Sequence, residues 1–250
     1  MKTLLRLLFA AAFAGAAAVS THAASIGVNF GSPALGFAGE IGPMASAGVV
    51  PQTNWMDVTN SAMTNLTLTD STGAATTAQL TYADGMGFPT LQIASLVAGG
   101  DELLNNSYLW LGGAAPQLTI NGVPYATYNV ILYISSVLPG RTHEVTVDGT
   151  TYYGLTPNSL DAGYVDGNSG TPYTYTQAVG TNSGSATTNA NYYLFTDLTA
   201  GSFTISLATP NDVLQVSAFQ IVDAVPEPTT ATLLMGGMCA LAAWRWRRRK

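Results

Sequence analysis

Thr127–Ser135 reads TYNVILYIS, and this stretch decides the fold. It is built almost wholly from β-branched and aromatic side chains, with no polar face at any helical spacing. Such a run reads as a central strand buried on both faces. Pro139-Gly140 then turns the chain. His143–Val147 alternates, with Val145 and Val147 sharing a face. Asp148-Gly149 is the pair a type I′ hairpin requires, and Thr150–Tyr153 returns from it. Tyr173–Val179, Asn191–Leu198, Ser202–Ala208 and Leu214–Val222 supply four further candidate strands. Gly180 to Asn191, small and polar, reads as a mobile loop.

Upstream the same grammar holds. Gln117–Ile120 is a short strand ending at the Asn121-Gly122 turn signal. Asn65–Asp70 alternates with Leu66 and Leu68 inward, turns through Ser71-Thr72-Gly73, and pairs with Thr77–Tyr82 as a hairpin. Ser25–Phe30 opens the domain as a strand, and Gly31–Pro51 reads as a long loop. Leu91–Asn106 is the one stretch with helical character, and Gly99-Gly100 is expected to break it. Trp55 and Trp110 read as core or loop anchors. About ten short strands separated by turn signals, with no internal repeat, predict an all-β fold: an antiparallel β-sandwich.

The charge distribution divides the chain in three. Of eight Lys and Arg, two lie before residue 25 and five after residue 244, leaving Arg141 as the cation of the body. Thirteen of the fourteen acids lie in that body, so Ser25–Ala224 carries a formal charge of −12. One cation cannot neutralise a phosphate backbone, which excludes nucleic acid as a partner. Neutral extracellular polysaccharide is the better-matched polymer. The single cysteine, Cys239, lies outside the body, so no disulfide framework supports it. Some 200 residues are enough for a core to do so alone.

Residues 1–24 have the layout of a secretory signal peptide. Lys2 and Arg6 form the basic start, Leu4–Val19 the apolar run, and Ser20–Ala24 the small-residue site for signal peptidase. Residues 225–250 read VPEPTTATLLMGGMCALAAWRWRRRK. Pro226 and Pro228 force an extended spacer. The uncharged run Thr229–Trp244 is long enough for a single C-terminal hydrophobic helix of roughly 24 Å. That falls slightly short of a bilayer crossing, which Trp244 and Trp246 extend at the interface. Arg245, Arg247, Arg248, Arg249 and Lys250 are expected to stay cytoplasmic.

This order of motif, apolar run and basic end resembles the PEP-CTERM sorting domain of Gram-negative bacteria, also known as a C-terminal domain of ice-binding-type proteins. Val225, Pro226, Glu227 and Pro228 match its motif. The resemblance implies export, a transient stay at the inner membrane, cutting by an exosortase near the triplet, and delivery to the cell surface or extracellular matrix. The body is similar in strand pattern to galactose-binding-like jelly rolls, through SIGVNFG, TYNVILYIS, HEVTVDG and LQVSAFQIV. That similarity implies a fold and carries no sugar-binding residue.

The candidate chemistry is sparse. His143 is the one histidine of the body and has no nucleophile at a recognisable spacing, so it reads as a strand-end surface residue. No Gly-x-Ser-x-Gly elbow is present. Thirteen acids nominate no glycosidase pair, and most sit in turns. The chain therefore reads as non-enzymatic. Asp161, Asp166 and Asn168, spaced by glycines, are candidate calcium ligands in what is otherwise an ordinary loop; no other cofactor is indicated. Tyr152, Tyr153, Tyr164, Tyr173, Tyr175, Tyr192 and Tyr193 crowd into one third of the chain. Aromatic faces among Asn and Asp are what a sugar ring needs, and tyrosine is equally a good strand former.

Overall fold

The computed structural model describes residues 25–31, 41, 44–83, 85–87, 100–105, 108–111, 117–135, 140–156, 174–208 and 214–224. In chain order these form β1 (Ser25–Asn29), β2 (Met56–Asp57), β3 (Met63–Thr69), β4 (Ala75–Tyr82), β5 (Gly85–Gly87), helix α1 (Gly100–Leu104), β6 (Leu109–Leu111) and β7 (Gln117–Asn121). They continue with β8 (Tyr128–Tyr133), β9 (Thr142–Val147), β10 (Thr150–Leu155), β11 (Tyr192–Leu198), β12 (Ser202–Ala208), β13 (Leu214–Val216) and β14 (Ala218–Asp223). The fold is the expected all-β sandwich. One sheet runs β11-β8-β14-β1-β2 and the other β10-β9-β12-β7-β4-β3, with β13-β6-β5 as a small third sheet. Pairing is antiparallel except between β1 and β2.

The period of two in β8 and β14 sets the layering. Tyr128, Val130 and Leu132 from β8, with Phe219 and Ile221 from β14, point into the core between the sheets. Val145 and Val147 of β9, Leu118 and Ile120 of β7, and Ile205 of β12 meet them from the other side. The alternate residues Ile131, Tyr133, Ala218 and Val222 face outward, yet they too are buried, in a second cluster with Trp55, Leu103 and Leu104. The first sheet is thus covered on both faces, by residues 44–55 and α1. The second sheet, among the described residues, is covered on one. Its outer face is hydroxyl-rich: Thr119 meets Thr204 at 3.5 Å and Thr146 meets Thr151 at 2.7 Å.

Several expectations are corrected. Leu214–Val222 is not one strand. Ser217 interrupts it, its N–H donating to the Tyr133 carbonyl at 3.0 Å and its carbonyl accepting from Phe30 at 2.8 Å. The chain thereby changes sheet between β13 and β14. Of the Leu91–Asn106 stretch only residues 100–105 are described, and they hold the short helix α1, which starts at Gly100, where a side chain would strike the Ser46 carbonyl. Residues 174–179 form no strand; they make single bridges such as Gln177 to Tyr192. The 180–190 segment is hydrogen-bonded along the outer edge of β10, from Tyr153 N to Gly180 O at 2.8 Å and Leu155 N to Thr187 O at 2.8 Å. It caps a sheet edge that would otherwise be open to pairing. Asp148-Gly149 forms the turn as read, with φ of 47° and 76°. Among the described residues no helix is long and apolar enough to cross a membrane. The expected C-terminal helix, Thr229–Trp244, lies outside them.

Gly27 in β1 is where the outer cover approaches the sheet most tightly. A Cβ there would sit 2.8 Å from Trp55 Cε3 and collide with the Gln52 amide. Gly27→Ala is therefore expected to lose about 1–3 kcal/mol in a denaturant titration. Thr204→Ala, on the hydroxyl face, should stay within about 0.5 kcal/mol of the parent.

Candidate functional site

The outer face of the first sheet carries a polar network under an aromatic row. The Tyr133 hydroxyl donates to Gln220 Oε1 and accepts from the Val49 N–H at 2.8 Å. Gln220 Nε2 donates to the Val50 carbonyl at 2.8 Å and to Gln52 Oε1 at 2.9 Å. Trp55 Nε1 donates to the Gln52 carbonyl at 3.1 Å. Asp101 Oδ1 accepts from Gly48 N and from the Tyr175 hydroxyl, both at 2.7 Å. The loop 44–55, α1 and Tyr175 are thereby fastened to β8 and β14. Burial, only partly offset by the Val49 hydrogen bond, pushes the Tyr133 phenol far above its ordinary pKa, so it works as a neutral donor and acceptor.

The rings step outward from this network. Trp55 and Tyr133 have centroids 6.2 Å apart, Tyr133 and Tyr175 5.7 Å, and Tyr175 and Tyr192 6.0 Å with planes at 90°. Trp55 and Tyr133 are buried, while Tyr175 and Tyr192 are half-buried. The Tyr192 hydroxyl donates to Gln177 Oε1 at 3.3 Å. Burial raises the Tyr192 phenol as well. The row therefore ends at the surface in two aromatic rings, a phenol and a carboxamide. Asp101, the carboxylate joined to the row among the described residues, is already engaged by two donors. Such a surface can stack a flat apolar face and exchange hydrogen bonds with hydroxyls.

The tyrosines singled out from sequence do not form one group. Tyr175 and Tyr192 meet here. Tyr152 packs on Phe195 at 5.3 Å, against the inner core. Tyr193 is 1% exposed, its hydroxyl donating to the His143 carbonyl at 3.4 Å. Tyr153 lies opposite Glu144 on the far sheet. Tyr164 and Tyr173 lie outside the described residues, as do the calcium candidates Asp161, Asp166 and Asn168 and the Val225–Pro228 motif. Among the described residues no group of three metal-ligating side chains occurs. Trp55 is buried as the core anchor it was read to be, while Tyr133 and Gln220 were missed. Only the alternation in TYNVILYIS signalled that Tyr133 shares a face with Ile131.

His143 requires the plainest correction. It is 1% exposed, not a surface residue, and neither ring nitrogen has a hydrogen-bond partner. It lies on the inward face of β9 with Val145 and Val147, opposite Gly154 of β10. A Cβ on Gly154 would stand 2.7 Å from both Ala190 Cβ and the Tyr193 hydroxyl. Burial first, and then the Arg141 charge, lower the pKa of the imidazole to about 4. It is a neutral core group without access to a substrate.

Residues 224–250 match the PEP-CTERM protein-sorting motif. That motif implies processing by exosortase, export, and sorting to the cell envelope or surface. No curated protein matches the chain. Among solved structures, the chain overlaps a β-glucuronidase of Bacteroides uniformis with a TM-score of 0.42 and 11% identity, over 80% of this chain and 18% of that one. It also overlaps the CBM35 of Abf62 from Cellvibrio japonicus with a TM-score of 0.28 and 12% identity, over 59% of this chain and 94% of that one. At such scores the overlaps carry no argument about ligand or activity.

The histidine makes a pH prediction with a definite sign. Its folded pKa, about 4, lies below the 6.5 of the free side chain. Between those values the unfolded chain binds more protons, so stability falls as pH drops from about 6.5 toward 4. The full loss is on the order of 3 kcal/mol. Melting temperatures across that range should fall steeply for the parent and less for His143→Leu. Parallel curves would contradict the buried, unpartnered imidazole.

Proposed function

We propose that the exported chain is a non-enzymatic cell-surface or matrix component that recognises neutral glycan on the outer face of its first sheet. The observation that carries this is the aromatic row surfacing at Tyr175 and Tyr192 beside Gln177. Sugar rings offer alternating apolar faces and equatorial hydroxyls, which that combination matches. The acidic body disfavours anionic polymers unless a divalent cation bridges them. Three of the described acids are engaged in holding the fold: Asp57 binds Asn29 Nδ2 at 2.7 Å, Asp70 caps the β3–β4 turn through Thr72 and Ala74, and Asp101 holds Gly48 and Tyr175.

In this reading, residues 1–24 are removed by signal peptidase, 25–224 is the working domain, and 225–250 is the sorting segment with a transient membrane helix. The test is a neutral-glycan array with the exported, processed protein. Binding is expected, with Tyr192→Ala weakening it by about tenfold, the scale of one lost stacking contact. Tyr153→Ala, on the other sheet, should leave it unchanged. An array without hits, or hits indifferent to Tyr192→Ala, would leave a purely structural matrix protein.

A further inference from the structure

The two ends of the described body lie side by side. β1 and β14 are adjacent and antiparallel, with Ser25 opposite Val222. Ser25 is already buried, so the chain is committed to the sheet at the first residue after the expected signal peptide. At the other end the Ala224 N–H donates to the Thr127 carbonyl at 2.9 Å. The next residue is Val225, the first of VPEP. No spacer separates the last hydrogen bond of the sandwich from the sorting motif.

The strand directions identify which surface this is. Tyr128 pairs with Asp223 and with Leu198, so the start of β8 and the end of β11 share the pole. Ser71 N donates to Ser25 O at 2.7 Å, which adds the β3–β4 turn. Tyr128 donates to Ala200 O at 2.7 Å, and Val123 N to Gly201 O at 2.9 Å, which adds the β7–β8 and β11–β12 connections. Ala126 and Gly201 are exposed there. Tyr82, Tyr133 and Thr142 close the opposite pole, about 20 Å away at the rise of a six-residue strand.

An extended residue spans at most about 3.6 Å. Val225 and Pro226 therefore separate the fastened Ala224 from Glu227 by roughly 11 Å or less. An enzyme that encloses the Pro-Glu-Pro triplet must bring the rim of its cleft against this pole. We propose that the pole formed by Ser25, the Asp70–Ala74 turn, Pro124–Thr127 and Ala200–Gly201 is a docking surface for the membrane-embedded exosortase that processes the chain. The inference rests on the sorting role of the motif. Asp70, Asp148, Asp197 and Asp223 lie toward this pole, and no Lys or Arg does among the described residues. That charge opposes flat seating on anionic lipid and leaves a protein as the occupant.

The test places photo-reactive benzoylphenylalanine in the full-length chain, in a host carrying the exosortase. It replaces Ala126 or Gly201 at the pole, or Ala83 at the opposite end. Cross-links to the exosortase are expected from 126 and 201, at least about tenfold above those from 83. A twelve-residue Gly-Ser spacer between Ala224 and Val225 should lower the yield several-fold, because the pole is then free to sample a larger volume. Equal yields from all three positions, yields indifferent to the spacer, or lipid adducts alone from 126 and 201 would overturn the docking surface. Replacing Pro226, Glu227 and Pro228 by alanine should stop processing. Should processing continue, the sorting reading itself is overturned, and the docking surface with it.

Discussion

Gln220 sits at 0% exposure on the outward face of β14, where a sheet of this kind would normally meet water. It is tolerated because both ends of its amide are occupied: Oε1 by the Tyr133 hydroxyl, Nε2 by Val50 and Gln52. A buried amide without partners would cost on the order of 1–3 kcal/mol. Satisfied in this way, it instead fixes where the 44–55 segment lies. The small residues nearby follow from that placement. A Cβ on Gly48 would stand 2.7 Å from Gln220 Oε1, and one on Gly27 would meet Gln52 and Trp55.

The two sheets consequently play different parts. The second sheet is an ordinary one-sided layer, apolar inward and threonine-rich outward. The first is sandwiched twice, and its outer cover is where aromatic surface accumulates. Fixing Trp55 and Tyr133 against the sheet gives Tyr175 and Tyr192 a rigid base, so a ligand stacking on them would not have to order them first. The same body lacks cysteine, so no disulfide shares the task with packing. Double burial of β8 and β14 supplies that packing.

Alternation carried the sequence reading where a single face decided the outcome. TYNVILYIS, HEVTVDG and the hairpin around Asp70–Gly73 behave as their residues require. The reading went wrong at His143 because chemical polarity was weighed above alternation. His143, Val145 and Val147 share a parity, and that alone places the ring inside. It failed at Leu214–Val222 because nothing in an apolar run reveals that Ser217 gives its two backbone groups to Phe30 and Tyr133. The aromatic row was illegible for a different reason. Trp55, Tyr133, Tyr175 and Tyr192 come from four separated segments, and only the folded loop 44–55 and the irregular stretch before β11 bring them together. Crowding of tyrosines in sequence proved a poor guide, since neighbours such as Tyr152 and Tyr153 point to opposite faces.

Native-state hydrogen exchange on the parent and on Tyr133→Phe tests the double burial most directly. The account predicts that Val130–Tyr133 and Phe219–Val222 exchange only through global unfolding, far more slowly than the edge strand β3. It predicts that loss of the hydroxyl speeds exchange at Val49 and its neighbours well before it reaches β8 and β14. If β8 and β14 exchange as fast as β3, or if the 44–55 amides are indifferent to the hydroxyl, the outer cover is not what holds this sheet.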